Sequence, residues 1–486
     1  MKSNLLKDFF SYGTVGVISK FVGFFTIPIY TRFLSKADFG ILEILSVIMV
    51  LLAFLSTFQL ESSFLRLFFD KKETKQKRNL FSSGLWIIIP GSIILSLVLI
   101  AFNKPLANLI LQSTDHSILL IIAISELMFK NVLEYSVIVF RVEFNRKGYT
   151  TFNLIYVFCN ALLGIIFVAI FKYGLLGLLI SRCVVSIVFA GIALFKAKKY
   201  VSLNISFPVL KEMLTYGVPL IPVVLAQWGQ KYVARILIIF LFSLSQIGIY
   251  AIATKVLLPL LLLTHSLKMA WHPYTFDNYK NKESKALFND FYNFFAFIAS
   301  VIAVVLILFG EELLVVFASE KFADSQYLIG ILSIAYILYG MSDLISTGIL
   351  IRKKNNALSY ASITGTFCGC LTMYLLSIRF GLIGIVIGEL FGELVKFFLI
   401  SILVKKIFTG YFKFKRSAIA LSLLVPISFI LNNGFTPIDY DWIIKSLFLT
   451  LIIGALSIIY FFRNQSLCLR MKSFGGTILS TQLLKK

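Results

Sequence analysis

Lys172-Tyr-Gly-Leu-Leu-Gly-Leu-Leu-Ile-Ser181 returns 207 positions later as Arg379-Phe-Gly-Leu-Ile-Gly-Ile-Val-Ile-Gly388. Two shorter stretches repeat in the same order at nearly the same spacing. Phe10-Ser-Tyr-Gly13 returns as Leu214-Thr-Tyr-Gly217, an offset of 204, and Asp38-Phe-Gly-Ile41 as Gln246-Ile-Gly-Ile249, an offset of 208. Each copy lies beside a long apolar run. One Gly-rich match can arise by chance; three collinear matches indicate the duplication of a helical membrane unit, a construction common among secondary transporters.

Composition agrees with a membrane class. Of 486 residues, 59% are hydrophobic and 14% charged, with a mean hydropathy of +0.91. Soluble domains hold about 45–50% apolar residues. Apolar runs near the roughly 20 residues that cross hydrocarbon are expected as spans at 9–31, 40–60, 81–102, 117–140, 151–171, 174–195, 213–240, 246–270, 288–309, 326–350, 357–377, 381–404, 417–431 and 442–462. The fold class is therefore an all-α polytopic membrane protein of about 14 transmembrane helices. Two six-helix lobes are related by the internal repeat, and two C-terminal helices follow. The lobes are expected at 1–195 and 213–404, joined by a cytoplasmic linker over 196–212; 405–486 holds the last two helices and a cytoplasmic tail. Six is even, so both lobes enter from one side and the repeat is parallel. The first run is too long for a cleavable signal peptide and no cleavage site follows it, so it reads as a retained helix.

The net charge of +23 would suit nucleic acid, but its distribution does not. With the N-terminus inside, only Arg32, Lys36, Lys104, Lys172, Lys321 and Arg379 fall in outer loops, and the inner side holds most of the 46 Lys and Arg. That asymmetry is the positive-inside pattern, with attraction to anionic membrane lipids as a by-product. Both termini are placed in the cytoplasm. The five cysteines, Cys159, Cys183, Cys368, Cys370 and Cys468, are odd in number and have no metal-site spacing. No cofactor or metal is implied. Outer loops are short, which leaves a membrane polymerase or transferase no extramembrane catalytic surface; the chain reads as a transporter rather than an enzyme.

Ionisable groups inside spans cost about 2.5–3.5 kcal/mol each at the midplane and need a partner, water or ligand. The fourth span carries Glu126, Lys130 and Glu134 at i, i+4, i+8, a stripe that pairs along one helix or relays protons. Asp343 lies in the tenth span. Glu389 and Glu393 lie with Lys396 in the twelfth, and Arg182 of the sixth is the repeat counterpart of Glu389. These are candidates for coupling or for charge pairing. Lys20 of the first span, Lys231 and Arg235 of the seventh and Lys255 of the eighth differ, because their own helices offer no acid in the membrane interior. Lys20 shares a face with Gly13, Gly16, Ser19 and Gly23, and Gln227 and Gln230 flank Lys231. Two readings stay open for these cations: pairing with Glu126 or Glu134 across the bundle, or a wet cationic cavity for an anionic substrate. Pro28, Pro219 and Pro222 mark bends in the first and seventh spans.

Pro28-Ile-Tyr-Thr-Arg-Phe-Leu-Ser-Lys-Ala-Asp-Phe-Gly40 resembles the first-loop signature of polysaccharide repeat-unit flippases (Wzx-like), within the multidrug/oligosaccharidyl-lipid/polysaccharide exporter superfamily. The turns at Lys172–Gly177 and Arg379–Gly384 resemble those before its sixth and twelfth helices, and Tyr216-Gly-Val-Pro219 and Gly248-Ile-Tyr250 resemble its seventh and eighth helix starts. The resemblance implies two lobes around a central cavity, alternating access, the bacterial inner membrane and an undecaprenyl-pyrophosphate-linked glycan as substrate. It also implies work beside glycosyltransferases and a polymerase, with Lys20, Lys231, Arg235 and Lys255 as the cavity cations that hold phosphate or acidic sugars. The extra helix pair leaves a lipid II flippase open, and a cation-coupled multidrug exporter of the same superfamily is the other alternative.

Overall fold

The computed structural model describes residues 2–279, 284–352, 354–407, 412–432 and 442–461. Cys468 and the expected cytoplasmic tail lie outside the described residues. Every regular element among those residues is helical: α1 (Lys2–Phe33), α2 (Lys36–Thr57), α3 (Leu60–Leu67), α4 (Thr74–Ala101), α5 (Asn103–Leu111), α6 (Ser117–Val142), α7 (Arg146–Ile165), α8 (Gly174–Ala197), α9 (Phe207–Gly217), α10 (Ile221–Leu241), α11 (Leu244–Val256), α12 (Leu258–Asn278), α13 (Ser284–Leu308), α14 (Gly310–Ala318), α15 (Gln326–Ile351), α16 (Asn355–Phe380), α17 (Leu382–Ile407), α18 (Lys415–Asn432) and α19 (Trp442–Phe461). Within the described residues, each of the fourteen expected spans falls mainly on helix. Nine helical segments among the described residues are long and apolar enough to cross a membrane, ten if α11 and α12 form one bent span.

Local chemistry sets several boundaries. The signature loop is a capping box: Ser35 Oγ accepts from the Asp38 amide at 3.1 Å, and Asp38 Oδ2 accepts from the Ser35 amide at 2.8 Å. Two orphan donors at the start of α2 are thereby satisfied. The seventh span is two helices, α9 and α10, joined by a tighter turn over Val218–Leu220. Pro219 and Pro222 fall at and just after that turn, where their missing amide donors cost no helical hydrogen bond. The repeated decapeptide does the same work in both copies. Gly174 (φ 56°) and Gly381 (φ 59°) both take a positive φ that favours glycine. Three residues on, a Cβ at Gly177 would meet Tyr173 Cβ at 2.7 Å, and one at Gly384 would meet Leu376 O at 2.3 Å.

The described residues fall into two compact units. The first runs to Ala251 and adds Phe317–Lys321; the second begins at Ile252. This division differs from one made at the linker, because the linker and seventh span pack with the first six. Ser82 Oγ donates to Tyr200 O (2.8 Å) and accepts from the Ser202 amide (2.7 Å), Trp86 Nε1 donates to Ser202 O (2.7 Å), and Ser83 Oγ accepts from the Ser206 amide (3.1 Å). Ser63 Oγ of α3 donates to Met213 O of α9 at 2.8 Å. A buried core of Leu60, Phe64, Phe81, Tyr135, Tyr200 and Met213 sits beneath these bonds. In the second unit α16 and α17 approach through glycine: a Cβ at Gly369 would meet Gly392 Cα at 3.1 Å and one at Gly388 would meet Met373 N at 2.4 Å. Small residues four apart allow such backbone approach between membrane helices.

Candidate functional site

Lys20 of α1 and Lys231 of α10 are both exposed and near enough for their charges to act on each other. Neither has an acidic partner among the described residues. A Cβ on Gly16, Gly23 or Gly229 would meet no atom within 4 Å, so these glycines border open space instead of a packed neighbour. Gly16 and Gly23 share the Lys20 face of α1, and Gly229 lies two residues before Lys231. Of the two readings open for Lys20, pairing with Glu126 or Glu134 is not formed. Glu126 sits 3.5 Å from Arg182, and Glu134 has Lys130 at 4.0 Å. Two mutually repelling cations on open faces within membrane helices favour an anion between or beside them.

Arg235 does not join them as an unpaired charge. Its Nε donates to Glu43 Oε1 of α2 at 2.6 Å, and its guanidinium lies 5.2 Å from the Tyr250 ring and 5.6 Å from the Tyr232 ring. Glu43 stands on another helix, so spacing along α10 does not point to it; its signal in the sequence is that it is the one acid of α2 beyond the capping Asp38. Lys255 belongs to the second unit and is not without a partner.

The remaining charges meet between or along helices. Glu126 is buried against α8 through Arg182. In the second unit Asp343 of α15 binds Lys268 of α12 at 2.7 Å, a cation the sequence reading missed. Glu393 binds Lys396 at 2.6 Å, one turn along α17, and the Lys396 ammonium lies 5.1 Å from the Tyr339 ring. Glu389 also has a partner. Arg182 and its repeat counterpart Glu389 stand in different units, and Arg182 is occupied by Glu126. Among the described residues no three His, Cys, Asp or Glu side chains converge as a metal ion would require.

A family profile described as polysaccharide biosynthesis protein matches residues 29–327. No curated relative matches the chain. Among solved structures, lipid II flippase MurJ in an inward closed conformation superposes with a TM-score of 0.72 at 17% identity, over 93% of this chain and 98% of that one. An inward-facing multidrug resistance MATE family transporter of the MOP superfamily superposes with a TM-score of 0.61 at 16% identity, over 84% of this chain and 96% of that one. At such identities the likeness is one of fold.

Proposed function

The chain belongs to the polysaccharide biosynthesis protein family, and from that premise we propose that it is a flippase for an undecaprenyl-pyrophosphate-linked oligosaccharide. It moves this lipid from the inner to the outer leaflet of the bacterial cytoplasmic membrane by alternating access, with both termini in the cytoplasm. Glycosyltransferases supply the substrate and a polymerase consumes it. The observation that carries this reading is the Lys20–Lys231 pair of cations, without acidic partners among the described residues and bordered by open glycine faces. A pyrophosphate in bare hydrocarbon is prohibitively unstable; fixed ammonium donors replace its hydration. Lys255, in the second unit, is a further cation of the proposed site. Arg235, held by Glu43, shapes the site without offering a free charge. Glu126, Lys130, Glu134, Arg182, Asp343, Glu389 and Glu393 serve charge pairing, and their exchange of protons is the route by which an ion gradient would act on transport.

Replacing Lys20, Lys231 or Lys255 singly with Ala is expected to lower glycan export about tenfold or more at matched protein levels, the effect of losing a charge-assisted contact. Normal export by both Lys20→Ala and Lys231→Ala would overturn the site. Drug-resistance assays in a pump-deleted host address the multidrug alternative. The two open cations repel cationic drugs, so no resistance is expected; strong resistance without a glycan defect would reverse the choice. Transport of a peptidoglycan precursor in place of a polymer repeat unit would assign the chain to lipid II.

A further inference from the structure

An apolar groove with a volume of about 180 Å³ lies in the first unit between α2, α5 and α10. Ile44, Val47, Leu109, Ile110, Ile236 and Ile239 wall it, and Trp228 and Arg235 contribute their side chains along the α10 edge. Polar ties hold its walls. Trp228 Nε1 donates to Val47 O at 3.0 Å, and Arg235 donates to Glu43 at 2.6 Å, joining α10 to α2. Gln112 Nε2, just past α5, donates to Ile239 O at 2.9 Å and Phe242 O at 2.6 Å. That amide satisfies carbonyls at the end of α10, which lack helical partners. The helices on either side of the groove are thus fastened to one another at three levels while the space between them stays apolar.

We infer that this groove holds the isoprenoid chain of a polyprenyl phosphate whose phosphate lies at Lys231, an inference that rests on the proposed flippase function. Depth identifies the occupant as hydrocarbon. Arg235 and Lys231 lie six and ten residues before Leu241, about 9 and 15 Å below the end of α10 at the 1.5 Å helical rise. Charge identifies the lipid. Trp228, Lys231, Arg235 and Ile239 follow one another at spacings of three, four and four residues, so the open ammonium borders the same face of α10 as the groove. A phosphate held there places the first isoprene units beside Trp228 and Arg235. An ordinary phospholipid keeps its phosphate at the bilayer surface and does not reach that position.

Native mass spectrometry of the purified full chain, with undecaprenyl phosphate as probe and dioleoyl phosphatidylglycerol as comparison, tests this. Wild type is expected to bind undecaprenyl phosphate in preference to phosphatidylglycerol. Ile239→Trp and Ile110→Trp, which fill the groove, are expected to bind the probe about tenfold more weakly with phosphatidylglycerol unchanged. Ile239→Ala keeps the fold should the Trp variants be unstable, and weakens the probe less. Normal probe binding by all three variants would sink the groove assignment while leaving the flippase reading standing. Equal binding of both lipids by wild type would make the groove a resting place for any acyl chain and would also sink it. No binding of undecaprenyl phosphate at all would count against the flippase reading itself.

Discussion

At the scale of single residues, the informative comparison is between cations of the same helix. Lys231 and Arg235 are one turn apart on α10, yet Arg235 has Glu43 and Lys231 has no acidic partner among the described residues. The Arg235 and Glu43 side chains are 15% and 17% exposed, enough to soften their desolvation but not to remove it. Glu43→Ala removes the carboxylate facing a largely buried guanidinium and is expected to destabilise the protein by about 3 kcal/mol. The double variant Glu43→Ala/Arg235→Ala removes both charges and should recover part of that loss. Thermal unfolding in detergent of the two singles and the double measures this; a double variant that loses the sum of the singles would show that the pair does not interact. Lys20 and Lys231 were legible in the sequence because an acid on their own helix would have had to sit at a readable spacing. Glu43 and Lys268 were not, because periodicity reports which residues share a face and not which faces meet.

At the scale of helices, one pair of repeat anchors turns out to touch its own copy. A Cβ at Gly40 of α2 would meet Leu244 O of α11 at 1.9 Å, and a Cβ at Gly248 of α11 would meet Lys36 O of α2 at 2.0 Å. Leu244 and Lys36 each stand four residues before the opposite glycine, so the crossing is reciprocal. Backbone lies against backbone, and no side chain can yield. Gly40→Ala is therefore expected to cost about 1–3 kcal/mol through forced separation of the helices. Gly16→Ala faces open space within α1 and should instead gain about 0.5–1 kcal/mol from helix propensity. Opposite shifts in the melting temperature of the two variants are the expected result; a Gly40→Ala variant that melts no lower than wild type would mean that the crossing is not tight. The positions of the helices were legible from apolar runs, and the Pro219 and Pro222 break from the fixed geometry of proline. The linker was legible only as basic. Its attachment to α4 depends on Ser82, Ser83 and Trp86, polar residues near the start of an apolar run, which in sequence look like an ordinary helix end.

At the scale of the whole molecule, duplication and packing divide the chain differently. The repeat records how the sequence arose and sets the local form of each copy, as at Gly174 and Gly381. Packing follows instead from where α9 and α10 bury their surfaces, and they do so in the first unit. Charge supplies the remaining coordinate, the direction of the chain through the membrane. α4 carries the test along one helix. It begins near Lys75, Lys77 and Arg78 and ends just before Lys104, 28 residues or about 42 Å of helix between its first and last positions. The positive-inside pattern puts its basic start in the cytoplasm and Lys104 outside. Lys75 and Lys104 are both exposed, so cysteine at either site is open to reagent. In a background with the five native cysteines replaced by Ser, a membrane-impermeant maleimide added to intact cells should label Lys104→Cys at once and Lys75→Cys only after permeabilisation. The reverse order would invert the chain and move the Lys20–Lys231 cations to the opposite approach. Labelling of both sites in intact cells would mean that α4 does not span the bilayer at all. Because every later span alternates from α4, this single helix fixes which leaflet each end of the Lys231 site addresses.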